Sequence, residues 1–121
     1  MISDTKQLGI VGEQYVADYL VKQGFAVCAR NFSTRDGEID LIAQKDSLIL
    51  FVEVKTRINP LFDMAQVITP SKQHKIVRTA RKYLILQNLD QHYCRFDVAL
   101  VQKIGDRLEL EYIQDAFGPM E

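Results

Sequence analysis

Gly37-Glu38-Ile39-Asp40-Leu41-Ile42-Ala43 and, after a tight connection at Lys45-Asp46, Leu48-Ile49-Leu50-Phe51-Val52-Glu53-Val54-Lys55-Thr56-Arg57 form the most informative passage of this 121-residue chain. The second segment is apolar on both faces until its first charge, the pattern of a strand central in its sheet. Strand side chains alternate, so Glu53, Lys55 and Arg57 emerge from one face. Burying such charges costs several kcal/mol each unless they are paired or bind a metal. The Asp36-Gly37 turn opens the preceding strand, and Asp40 on it can meet Glu53 across the pair. Two carboxylates brought together repel, and a divalent cation relieves that repulsion.

Outward from this passage the chain alternates clearly. Lys6 to Gln23 reads as a helix with Gln14, Asp18 and Lys22 on its polar side, Val16, Ala17 and Leu20 on the other, and Gly24 as its stop. Strands follow over Phe25–Phe32, Glu38–Gln44 and Ser47–Arg57. Ile58 to Ile68, with Pro60, reads as a loop. Thr69 caps and Pro70 starts a second helix running to about Leu89, with Gln73, Ile76, Val77, Ala80 and Leu84 inward. Strands over Cys94–Gln102 and Leu108–Ile113, joined at Gly105-Asp106, close the chain. The order α-β-β-β-α-β-β specifies an α/β (α+β) sandwich with a mixed sheet, in a length suited to one domain spanning residues 1–121.

Composition narrows the classes of function. The net charge of −1 excludes a generally basic nucleic-acid binder, so any such surface must be local. Thr69 to Arg95 carries six basic residues against one acid, Asp90, whereas Phe96 to Glu121 carries six acids against two basic residues. Lys75, Arg78 and Lys82, flanked by Lys72 and Arg81, form a helical stripe that suits either a phosphate backbone or solvent. The longest apolar run is too short to span a bilayer, and the N-terminus lacks a signal-peptide pattern, so a cytoplasmic protein is expected. Cys28 and Cys94, in apolar strand-like stretches, read as buried reduced thiols. His92 and Cys94 supply only two of the four ligands zinc requires.

The candidate site residues suit metal-assisted phosphodiester hydrolysis. Asp40, Glu53 and the Val54 carbonyl would hold Mg²⁺ or Mn²⁺ through hard oxygens. Lys55 would stabilise transition-state charge or orient the attacking water. Glu13 lies on the inward side of the first helix, either as a third acid near the metal or as a carboxylate favoured by the helix dipole. Gln73, near a helix N-terminus, would orient water or phosphate or serve as a satisfied amide at the core edge. The competing account is an inert sheet with a buried Glu53–Lys55 or Asp40–Lys55 ion pair.

Gly12-Glu13, Arg30-Asn31-Phe32, Gly37 to Ile42, Val52 to Arg57, Thr69 to Gln73 and Arg95-Phe96-Asp97-Val98 appear in the order seen in the YraN family, which this chain resembles over Gly9 to Gln114. That family is similar to the PD-(D/E)xK nucleases and, among them, to archaeal Holliday-junction resolvases. The resemblance implies a restriction-endonuclease-like αβββαβ core. It assigns the first acid to Glu13, the motif aspartate to Asp40 and the (D/E)xK pair to Glu53 and Lys55, with Ile39 in place of the proline. Gln66 stands where relatives often carry Glu. A Mg²⁺-dependent nuclease acting on DNA, branched or single-stranded, is therefore expected, with Arg57, Lys72, Gln73, Lys75 and Arg78 on the nucleic acid. Resolvase-like action on two symmetric strands implies a homodimer. A non-catalytic nucleic-acid-binding module that retains the fold is the alternative.

Overall fold

A computed structural model describes residues 5–58 and 67–118. Its elements are α1 (Thr5–Lys22), β1 (Ala26–Thr34), β2 (Gly37–Lys45), β3 (Leu48–Arg57), α2 (Pro70–Leu86), β4 (Tyr93–Ile104) and β5 (Arg107–Phe117). The strands form one sheet in the order β1-β2-β3-β4-β5. All neighbours are antiparallel except β3 and β4, which run parallel because α2 carries the chain back between them. The expected mixed α+β architecture is thus observed, and β3 is the middle strand.

Alternation along the strands divides the core into two layers. Val16, Ala17 and Leu20 of α1 pack on Leu41, Ala43, Leu50, Val52, Ala99 and Val101. On the other face, Ile76, Val77, Ala80 and Tyr83 of α2 pack on Ile42, Ile49, Phe51, Val98 and Leu100. Ile49 to Val52 are therefore all fully buried, the reason for the unbroken apolar run. Fully burying each of these large side chains contributes about 1.5–3 kcal/mol.

Both helices end in left-handed residues. Gly24 has φ 93° and follows α1, where the Phe25 amide donates to the Leu20 carbonyl at 3.0 Å. The second helix stops at Leu86, short of the Leu89 expected. Asn88 takes φ 56°, and the Leu89 amide donates back to the Leu84 carbonyl at 2.7 Å. Asparagine here does the work usually done by glycine, and Leu89 is apolar because it packs on the core, not because the helix continues.

The last two strands are longer than their hydrophobic patterns suggest. Gln114-Asp115 reads as an end, yet β5 continues to Phe117, which stacks on Phe96 at 5.2 Å. The Asp97 carboxylate holds this extension by accepting from the Asp115 amide. Burial of the cysteines is corrected: both are free and exposed. Cys28 occupies the extra position of a bulge on edge strand β1, between Val27 and Ala29, and Cys94 lies at the solvated start of β4. Of the expected loop Ile58–Ile68, residues 59–66, including Pro60 and Gln66, lie outside the described residues.

Candidate active site

The site forms where β2 and β3 part. Their ladder runs from Lys45↔Leu48 to Leu41↔Val52 and goes no further. Beyond it, the Asp40 carboxylate takes over the role of a main-chain acceptor, and its Oδ2 accepts from the Val54 amide at 2.8 Å. Strict alternation also fails at this point. Ile39 and Ile42 both join the α2 layer, so the strand turns about Asp40, and on β1 the facing Asn31 has φ 51°. Such irregularities re-aim side chains next to functional sites.

Glu53 projects from β3 into the same region and is only 7% exposed. Burial pushes the Asp40 carboxyl up to about 7. The adjacent Glu53 charge and its hydrogen bond add to that rise, while the Val54 amide and the Lys72 ammonium oppose it. The two acids predicted to meet across the strand pair therefore do meet. They lie at an open cleft of about 480 Å³ whose walls include Glu38, Ser71, Lys72 and Lys75.

Glu13 reaches this region through a close helix approach. A Cβ at Gly12 would lie 1.8 Å from Thr56 Oγ1, so only glycine lets α1 settle on the end of β3. Glu13 is half-buried. Burial and then the Asp40 charge hold its carboxyl above the ordinary value, Asn31 and Arg30 work in the opposite sense, and Glu38 adds to the rise. A glycine in mid-helix costs roughly 1 kcal/mol relative to alanine, and that cost was the sequence signal for this close approach.

The buried ion pair considered for Glu53 exists, but with a different lysine. Lys72 of α2, not Lys55, sits on Glu53 Oε2. Lys55 is half-buried, and among the described residues it has no salt bridge and does not line the cleft. Arg57, also half-buried, follows it at the end of β3, opposite Gln102. The Gln73 side-chain amide donates to the Ile68 carbonyl at 3.3 Å, at the start of α2.

The basic stripe splits in two. Lys72 and Lys75 border the cleft, whereas Arg78 and Lys82 hold Asp36 of the β1–β2 turn at 3.7 and 2.6 Å. These two contacts fasten the turn that leads into Asp40. Asp97, in the Arg95-Phe96-Asp97-Val98 motif, is a further buried acid. It is 0% exposed and is held by Arg95, Tyr112 and the Asp115 amide.

The donor chemistry suits a hard cation. Asp40, Glu53 and the Val54 main chain offer oxygen, and the two carboxylates are destabilised by each other. Among the described residues no three His, Cys, Asp or Glu side chains converge on one point. Mg²⁺, which commonly binds through one or two carboxylates and keeps several waters, is compatible with so small a protein donor set.

Comparison with known proteins places the chain. The model of the uncharacterised protein family UPF0102 matches residues 12–101, a span that includes Glu13, Asp40, Glu53 and Lys55. A UPF0102 protein of Chlorobium phaeobacteroides is 39% identical over 97% of this chain and 98% of its own length. One from Clostridium perfringens is 40% identical over 93% and 94%, and one from Nitrosomonas eutropha 43% over 96% and 97%. The chain belongs to the UPF0102 family.

Proposed function

We propose that this protein is a Mg²⁺-dependent nuclease that hydrolyses phosphodiester bonds in DNA, branched or single-stranded. The observation that carries this reading is the Asp40–Glu53 pair at the open cleft. Two acids meeting at one cleft, with the Asp40 carboxyl pushed up to about 7, are costly in an inert sheet and useful in a cation site. The resemblance of the motifs to PD-(D/E)xK nucleases points the same way.

Bound there, Mg²⁺ would polarise the phosphate and acidify a water. Asp40 and Glu53 would hold it with the Val54 carbonyl, and the Asp40–Val54 hydrogen bond fixes one carboxylate against β3. Lys75, exposed on the cleft wall, would take the phosphate's charge. Lys55 would stabilise charge that develops in the transition state. Glu13, whose carboxyl is held above its ordinary value, is suited to holding a proton near Asp40. No helix of the described residues is long and apolar enough to cross a membrane. A cytoplasmic location and a homodimer belong to this proposal.

A second reading, a nucleic-acid-binding module without catalysis, draws on the Lys72–Glu53 ion pair, which already neutralises one acid. One experiment separates the two. Duplex, single-stranded, flapped and four-way DNA are incubated with Mg²⁺ or Mn²⁺ and either the wild-type protein or Asp40→Asn. Metal-dependent cleavage that Asp40→Asn abolishes supports the nuclease. Binding to the same DNAs without cleavage under any condition supports the module.

A further inference from the structure

Lys72 stands at an electrostatically unfavourable place. It is the third residue of the first turn of α2, after the Thr69 cap, Pro70 and Ser71, and its own amide donates to Thr69 Oγ1 at 3.2 Å. The positive end of the helix dipole favours acids there, and glutamate or glutamine is the usual choice at this position. The first turn of α2 contains no acid. What compensates the lysine is not in the helix but across the cleft, on Glu53 Oε2.

From this placement we infer that Lys72 is a built-in counter-ion, occupying Glu53 in the metal-free protein and released into the cleft when a divalent cation enters. The inference rests on the reading of Asp40 and Glu53 as the cation site. An ammonium and a divalent cation cannot both sit on the same buried carboxylate oxygen without strong repulsion. Glu53 needs some positive partner, because an unpaired charge buried to this degree is strongly destabilising. Among the described residues Lys72 is the salt-bridge partner that Glu53 has.

The two partners are unequally held. Glu53 is fixed on the central strand, whereas the Lys72 side chain is 42% exposed. Its second polar contact is a long one, 3.5 Å to the Val67 carbonyl. The ammonium can therefore swing away while the capped helix turn stays in place. It would remain in the cleft, beside Ser71 and Lys75, where a phosphate would meet it. Cation entry would thus create an additional phosphate-binding charge. By linkage, nucleic acid that holds the released Lys72 would tighten cation binding by the same factor.

The test uses metal-stripped full-length protein and Mn²⁺ as the probe, read by calorimetric titration and by melting temperature. Lys72→Met should melt lower than wild type without metal, gain more from Mn²⁺, and bind Mn²⁺ about tenfold more tightly, a modest effect for removing a cation in direct contact with a ligand atom. Lys75→Met, which lines the same cleft without touching Glu53, should change the affinity by less than about twofold. Equal affinity in Lys72→Met and wild type overturns the inference, as does equal tightening by Lys75→Met. Those outcomes leave the cation site standing. Absence of Mn²⁺ binding by both wild type and Lys72→Met overturns the cation site and the inference together. Should Lys72→Met not fold, the wild-type protein decides. Mn²⁺ should raise acetylation of Lys72 relative to Lys75, and an unchanged ratio overturns the release.

Discussion

Asp40 and Asp97 are aspartates on β2 and β4, the two strands that flank β3, and their surroundings differ in kind. Asp97 accepts from Arg95 Nε at 2.9 Å and Arg95 Nη2 at 3.0 Å, from Tyr112 Oη at 2.6 Å and from the Asp115 amide at 2.9 Å. Each of its oxygens is matched by two donors, one from the Arg95 fork and one from β5. Among the described residues Asp40 accepts from one amide, that of Val54, and it faces a second carboxylate. Burial with full satisfaction makes a structural rivet, because leaving any partner unpaired is expensive. Burial against a like charge leaves free energy that a ligand can release. The chemistry of the chain is therefore expected at Asp40 and not at Asp97, although Asp97 is the more buried of the two.

The contrast is broken most directly by deleting each carboxylate. Asp97→Ala strands the Arg95 guanidinium, the Tyr112 hydroxyl and the Asp115 amide at once. It should destabilise the fold by about 3–5 kcal/mol in urea titrations, the range for breaking one side of a buried ion pair. The end of β5, up to Phe117, should lose amide-exchange protection first, since Asp97 is what holds Asp115. A loss under about 1 kcal/mol would mean that the Asp97 cluster is not the rivet described.

Lys55→Ala should leave stability nearly unchanged, within about 1 kcal/mol, because Glu53 takes its counter-charge from Lys72. On a DNA the wild type cleaves, turnover should fall by about a hundredfold or more. Wild-type cleavage by a stable Lys55→Ala protein would remove Lys55 from the chemistry.

This exchange of lysines marks the limit of what was legible in the sequence. Strand alternation fixed the faces of Glu53, Lys55 and Arg57, and the spacing of the two motifs brought Asp40 to Glu53, because both follow from geometry within one sheet. Which cation reaches Glu53 depends on how α2 lies across the sheet, and helical periodicity carries no such information. Lys72 read as a flank of the basic stripe, facing nucleic acid and not Glu53. The same holds for Asp97, whose donors lie on its own strand and on β5. Their convergence requires a register shift between Phe96 and Val98 that no local pattern announces. Gly12, which enters the sequence reading only within a family motif, carries a local signal of its own, since a glycine in the middle of a helix asks for a close neighbour, and Thr56 is that neighbour.

Asp40→Asn tests the cost of the Asp40 charge by pH in metal-free protein. A carboxyl raised from its ordinary 3.8 to about 7 on folding binds protons more tightly in the folded state than in the unfolded chain. Its contribution therefore falls as pH rises from about 4 to about 7 and is constant above. Asparagine keeps an oxygen for the Val54 amide and removes the charge. In urea titrations with chelator, Asp40→Asn should gain stability relative to wild type across that window, with the gap levelling off above it. Parallel pH profiles would show that burial and the Glu53 charge do not raise the Asp40 carboxyl on folding.

The smallest effect expected is in the basic stripe, where the comparison becomes one between lysines at the cleft and the cations on Asp36. Each phosphate contact contributes about 0.9 to the slope of log affinity against log salt for duplex DNA. Lys75 is exposed at the cleft, whereas Arg78 already shares Asp36 with Lys82. Lys75→Ala should therefore flatten the salt dependence of DNA binding by about one contact. Arg78→Ala should change it by less, because Lys82 still holds Asp36 and the lost guanidinium was partly neutralised there. A larger flattening by Arg78→Ala than by Lys75→Ala would move the DNA path away from the cleft and along the outer face of α2. Asp40 and Glu53 would then lie off that path, and the binding-module reading would gain over the nuclease.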